Sequence, residues 1–346
     1  MLPRVFFSIC AVGSLVACGG GGGASPAAAQ ADAEPRLDTL ERAAEAAVLS
    51  SRFAISYFGA GLTERDDPAE PPDGDPEDPL PIPLPVPLPL PLPDPPIAKA
   101  REDCSQGYVD KDTQTYDVGS PYTSEQMEVE IVRFFACREW LEEGSGAPGD
   151  GDPYVQVNGD LRGGTVADGG VGYSDIGRPG NSRALSVVIN VPGDGVDPDY
   201  RLEVDIAGRA DRRFTETSAD YQNRFSIGGR LRENGVIIQT AQLVFGTSSA
   251  PLDSNETSAG LTLSGPMRVL TDNCDTGLAS LSVSERLVFD YQQGQFAAGV
   301  LNLNQAGDAV SASFNSDGSM LLQMGDGTTR SYSVQQQDQI EDNCRS

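Results

Sequence analysis

The sequence predicts a mainly β protein: an antiparallel sheet folded as a sandwich or an open barrel, preceded by one N-terminal helix and a polyproline II strut. Three observations carry this expectation. Beyond about residue 100, apolar and polar residues alternate at period two, as in Tyr200, Leu202, Val204 and Ile206 against Arg201, Glu203 and Asp205. Turn signals such as Glu233-Asn234-Gly235, Gln305-Ala306-Gly307, Asp317-Gly318 and Asp326-Gly327 separate the runs. The clearest helical periodicity lies earlier in the chain, and a tract of alternating prolines sets it apart from the β region.

Composition narrows the chemistry. The chain of 346 residues has 24 basic and 51 acidic side chains, a net charge of −27, and no histidine. Nucleic acid is not an expected partner, because its binding needs a basic footprint. Without histidine there is no Ser-His-Asp or Cys-His catalysis and no usual zinc site. A base working near neutral pH would have to be a perturbed carboxylate or lysine. No Gly-x-Ser-x-Gly elbow, Ser-x-x-Lys pair, P-loop or dinucleotide fingerprint occurs in the required context. No residue is therefore assigned a catalytic role.

Residues 1–17 read as a signal peptide. Arg4 precedes a mainly apolar run, 5–16, too short for a bilayer span of about 20 residues. The run ends in Leu15-Val16-Ala17-Cys18, which resembles the lipobox of bacterial lipoproteins. That resemblance implies cleavage before Cys18, a diacylglycerol on its thiol and an acylated new N-terminus. Gly19, where an aspartate would signal inner-membrane retention, is similar to Gram-negative lipoproteins of the outer membrane. The implied location is the outer membrane, with either face open, and the membrane is a partner through the anchor at Cys18. Several acyl chains make such an anchor stable where one does not.

Residues 18–35 form a Gly- and Ala-rich tether. Over 36–61, Leu37, Leu40, Ala44, Ala47, Val48, Ser51, Ile55 and Phe58 recur at helical spacing, and Gly59-Ala60-Gly61 ends the run. The expectation is a helix docked on its own domain, with a helix offered to a partner as the alternative. Residues 62–98 are an acidic and proline-rich linker. Within it, 79–96 alternates Pro with Leu, Ile or Val, which fixes a polyproline II strut of about 56 Å.

Residues 99–145 are expected to form a disulfide-closed hairpin subdomain and 146–346 an antiparallel β domain. In the first, 108–116 pairs with 126–136 around Gly119-Ser120-Pro121-Tyr122; setting Cys104 opposite Cys137 places Val109 opposite Val132. Helical spacing also fits part of 127–141, and Trp140 is expected to cap the edge of the core. In the second, Leu185, Val187, Ile189 and Val191 share a face. Phe225, Ile227 and Leu231 do so against Arg224, Arg230 and Arg232. A three-residue loop at 233–235 would set Ile227 opposite Ala241, and a two-residue loop would set it opposite Gln242; the first is the expectation. A meander of strands at 281–291, 296–303, 309–314, 320–324 and 330–334 completes the chain. A membrane barrel of roughly eight to ten strands is the alternative fold, disfavoured by anchor and disulfides.

Four cysteines remain once Cys10 leaves with the signal and Cys18 takes lipid. Pairs Cys104–Cys137 and Cys274–Cys344 are expected, each bracketing a compact block. Calcium is the one cofactor considered. Asp194, Asp197 and Asp199 cluster in a Gly/Pro turn, echoed by Asp150 and Asp152, and hard oxygen ligands suit the ion; solvated turn aspartates are the simpler reading. Arg209, Arg212 and Arg213, possible neighbours of Arg224, form a basic spot for an acidic polymer or lipid headgroup, or else pair with nearby carboxylates. The β body loosely resembles uncharacterised all-β envelope lipoproteins. The expected function is a lipid-anchored cell-envelope protein with a structural or binding role, with an envelope protein or polysaccharide as partner. Its alternatives are a carboxylate-based hydrolase of an envelope polysaccharide and a calcium-stabilised surface adhesion or interaction module.

Overall fold

The computed structural model describes residues 37–62, 100–141, 152–166, 170–176, 184–193, 198–290 and 294–345. The expected signal peptide, Cys18, the expected tether and the expected proline strut lie outside them. Helix α1 is Leu40–Leu62 and helix α2 is Val334–Arg345. The first eight strands are β1 Ala100–Asp103, β2 Gln106–Tyr116, β3 Met127–Trp140, β4 Tyr154–Thr165, β5 Val171–Ile176, β6 Leu185–Val191, β7 Tyr200–Phe214 and β8 Ser218–Glu233. The rest are β9 Val236–Phe245, β10 Leu252–Thr257, β11 Gly260–Thr271, β12 Ala279–Asp290, β13 Gln295–Gln305, β14 Asp308–Phe314, β15 Met320–Met324 and β16 Thr329–Tyr332.

The protein is mainly β, and its strands make one antiparallel sheet in which the chain meanders from edge to edge. Two positions in the meander are each filled by two strands laid end to end. β5 and β6 both lie between β4 and β7; β9 and β10 both lie between β8 and β11. Where β6 hands over to β5 along β7, Gly208 adopts φ 148, and a Cβ there would lie 2.1 Å from the carbonyl oxygen of Arg224. Only glycine lets β8 come that close. The expected break near residue 145 is bridged by pairing, since β3 and β4 run together from Glu128↔Thr165 to Trp140↔Tyr154.

The half of the sheet from β7 onward wraps around α1. Thr39 caps the helix, its Oγ1 accepting from the Arg42 N–H at 3.3 Å. The helix is buried far beyond one stripe: Ala43, Ala44, Ala46, Ala47, Val48, Leu49, Ser50, Ser51, Phe53 and Ala54 are all buried. Alanine at so many positions lets strands approach closely on several sides. Phe53 meets Phe245 of β9 with ring centroids 5.1 Å apart, and the same core includes Leu243, Met267, Leu281, Leu301 and Leu322. The helix is thus docked on its own domain and forms the centre of its core.

Helix α2 packs against α1 and β16. Residues 330–334 were expected as a strand, but β16 stops at Tyr332 and α2 starts at Val334. The cause is a reciprocal capping box: the Ser333 N–H donates to Gln336 Oε1 at 2.9 Å, and the Gln336 N–H donates to Ser333 Oγ at 3.3 Å. Arg52 of α1 pairs with Asp338 and, at 3.2 Å, with Glu341 of α2. Cys344 joins Cys274 with a Cα separation of 5.2 Å, fixing the end of α2 to the segment after β11.

Two registers differ from expectation. In β3, Ala136 (φ 49) is an extra residue against both β2 and β4, and on the turn side of this bulge Val109 faces Phe134 and Lys111 faces Val132, because Cys104 does not stand opposite Cys137 in the ladder. Cys104 sits in the β1–β2 turn rather than in a ladder and reaches Cys137 from there, Cα to Cα 5.4 Å. The β8–β9 hairpin turns on two residues, Asn234 (φ 48) and Gly235 (φ 80), the type I′ pattern. One extra residue of β9 then shifts the ladder, so Ile227 faces Leu243. The parity of the expected pairing survives, and with it the inward face.

Candidate functional site

The outward face of β3–β5 carries a second, smaller core: Met127, Val129, Ile131, Val166 and Tyr173, covered by Val118 from the long β2–β3 connection. That connection, residues 117–126, is stitched locally by Asp117 Oδ1 to the Gly119 N–H at 2.7 Å and Ser120 Oγ to the Tyr122 N–H at 3.3 Å. Arg209 of β7 holds it down, donating from Nη1 to the Val118 carbonyl at 2.8 Å and from Nη2 to the Gly119 carbonyl at 3.3 Å. The same guanidinium grips the fully buried Asp211 carboxylate with Nε and Nη2, at 2.7 and 2.6 Å. Arg224, directly across the ladder, stands 3.8 Å from that carboxylate.

Beyond this clamp, Tyr122 leans over a cleft of about 340 Å³. Arg213, Asp220, Asp253, Asn255, Thr262, Ser264 and Ser282 line it with polar groups beside Tyr221, Leu263 and Val283, and the lining crosses β7, β8, β10, β11 and β12. Asp220 is saturated: Oδ2 accepts from Arg213 Nε and Nη2 at 3.0 and 2.7 Å, and Oδ1 accepts from Asn255 Nδ2 at 2.7 Å. Arg286 Nη2 donates to Asn255 Oδ1 at 2.9 Å, which fixes the amide. The Arg213 guanidinium lies 5.2 Å from the centre of the Tyr122 ring. Burial, with Asp220 and Asp253 nearby, pushes the Tyr122 hydroxyl up to about 12, so it stays a neutral donor at physiological pH. Burial also raises the Asp253 carboxyl above its usual range, against the pull of Arg224 and a hydrogen bond from Gln222.

The residues singled out in the sequence fall in different places. Cys18, Asp194 and Asp197 lie outside the described residues. Asp199 serves the turn beside the β8–β9 hairpin: its Oδ1 accepts from the Gly193 N–H at 2.5 Å, and its own N–H donates to Asn234 Oδ1 at 3.0 Å. Among the described residues, the one cluster with metal-ligand spacing is Cys104, Cys137 and Glu139, and its two thiols are joined in a disulfide. The basic spot separates by strand alternation. Arg209 and Arg213 face outward and pair with Asp211 and Asp220. Arg212 points the other way and is buried, its Nε 2.7 Å from where a Cβ on Gly172 would sit. Trp140 packs edge-on against Tyr154 at 5.7 Å on the outward face, away from both cores.

Sequence reading missed the cleft because it is assembled from five strands and one loop far apart in the chain. Comparison with protein-family models, with curated proteins and with solved structures gives no match. Among the described residues, no helix is long and apolar enough to cross a membrane.

Proposed function

We propose that this is a lipid-anchored protein of the bacterial outer membrane, and that its β body binds a hydroxyl-rich envelope ligand without transforming it. The lipobox ending at Cys18 supports the anchor. The observation that carries the binding role is the state of the cleft's charged groups. A two-carboxylate hydrolase needs one proton donor and one free base or nucleophile. Asp220 accepts three hydrogen bonds, two of them from the Arg213 guanidinium, which occupy its lone pairs and hold it in place. Asp253 is left without a matched partner carboxylate among the lining residues. What the cleft offers is a fixed set of donors and acceptors, Tyr122, Asn255, Thr262, Ser264 and Ser282, suited to sugar hydroxyls, and Tyr122 as an aromatic wall.

The two aspartates with bordering tyrosines are also what a polysaccharide hydrolase would present, so the experiment has to separate the two readings. The probe is chitohexaose, a neutral N-acetylglucosamine oligomer, titrated into the full chain in detergent and followed by calorimetry and by mass analysis of the sugar. The expected result is saturable binding, weakened by Tyr122→Phe and by Asp253→Asn, with the oligomer recovered intact. Shortened oligomers that disappear in Asp253→Asn would replace this reading with the hydrolase. Absence of binding would remove the cleft as the site for this sugar class.

A further inference from the structure

We infer that the outward face of β3, β4, β6, β7 and β8, distinct from the cleft, is a docking surface for an acidic polysaccharide whose carboxylates are spaced along an extended chain. The inference does not rest on the cleft's role. Residues directly opposite one another in a sheet share a face, and the registers place two continuous rows there. One row runs Trp140, Tyr154, Asn190, Arg201, Arg232 from β3 to β8. The next runs Arg138, Gln156, Val188, Glu203, Arg230 across the same strands.

In a chain of net charge −27, these rows hold four guanidiniums and one carboxylate. Glu203 is shared by Arg201 at 2.8 Å, Arg232 at 3.7 Å and Arg230 at 3.9 Å. Arg201 and Arg232 face each other directly, and like charges in that position destabilise a sheet. An anion laid over the pair would turn that cost into an attraction. The three side chains are 44%, 28% and 32% exposed for Arg201, Arg232 and Arg230, so their heads remain reachable. On the far side, Arg138 stacks over Tyr154 at 4.0 Å and holds Gln156 Oε1 at 3.2 and 3.0 Å. Asp205, the next outward residue of β7 after Glu203, borders the surface and limits it.

The geometry selects the occupant. From β3 to β8 is four strand spacings, roughly 19 Å, so the matching ligand is extended rather than compact. Guanidiniums take carboxylates in two-pronged fashion. The amides of Gln156 and Asn190 lie between Arg138 on β3 and the arginines of β7 and β8, where sugar hydroxyls would fall, and the Trp140 ring stands beside Arg138 at the β3 end. A densely charged polyanion such as nucleic acid would meet the whole-protein negative field, which acts beyond single contacts. A chain with charges spaced by neutral hydroxylated stretches meets it less.

The test uses the full chain in detergent and polygalacturonate, a linear polymer of carboxylated sugars, with its fully methyl-esterified form as the neutral control. Wild-type protein should be retarded by immobilised polygalacturonate, released by salt, and indifferent to the ester. Arg201→Gln/Arg230→Gln/Arg232→Gln should weaken retention by at least about tenfold. Its melting transition should remain cooperative and near the wild-type one, because the ion pairs lost with Glu203 lie at a partly exposed surface and are each worth little; the cleft variant Tyr122→Phe should bind as wild type. Three results would overturn the inference: equal retention of the triple variant, no retention of the wild type, or equal binding to a thymidine homopolymer.

Discussion

Phe53→Ala should destabilise the protein by about 3–5 kcal/mol, the range for deleting a buried aromatic ring from a core that cannot collapse. Phe53 is 3% exposed and packs on Phe245, which in turn meets Phe225 at 5.4 Å. The cavity would open at the centre of the wrapped half of the sheet. Here the surrounding strands are joined laterally by their ladders and have little freedom to move inward. Chemical denaturation measures the change, with Val236→Ala as control. Val236 is 65% exposed at the β8–β9 turn, and its truncation should stay within about 0.5 kcal/mol of wild type. Similar effects from the two variants would mean that α1 is not a core element.

Arg209→Met is expected to cost about as much, 3–5 kcal/mol, for a different reason: it keeps the volume but leaves a buried carboxylate without its main partner. Asp211 is 0% exposed, and Arg209 supplies its two shortest contacts. Arg224 stands farther off, at 3.8 Å, and compensates only in part. The substitution also removes both side-chain bonds to the 117–126 connection. Amide exchange there should rise before global unfolding, while α1 stays protected. The double variant Arg209→Met/Asp211→Leu should recover most of the loss, since a matched apolar pair leaves no uncompensated charge. If it recovers nothing, the arginine acts through packing or the connection alone.

The legible parts of this fold were those set by local pattern. Period-two alternation located β6 to β9 and the meander from β12 to β15 but not β10 or β11, and helical spacing located α1. The register could not be read, because single extra residues, Ala136 in β3 and one near Ile238 in β9, carry no signature of their own. Helix α2 was missed because few of its residues are apolar and the periodic signal is faint, although Ser333 and Gln336 spell a capping box. The arginines at 209, 212 and 213 looked like one patch in sequence, and alternation split them between two faces. Arg201, Arg230 and Arg232 were visible as polar positions on two separate strands. Only the β7–β8 register brings them together around Glu203.

The proposed anchor would set where all of this happens, and one measurement tests it directly: intact mass and N-terminal peptide mass of the protein purified from a Gram-negative envelope. The expected species begins at Cys18 and carries a thioether-linked diacylglycerol and an acylated amine, and Cys18→Ala abolishes both. A mature chain with Cys18 unmodified, or one that retains residues 1–17 in the wild type, would contradict the proposed lipid-anchored protein.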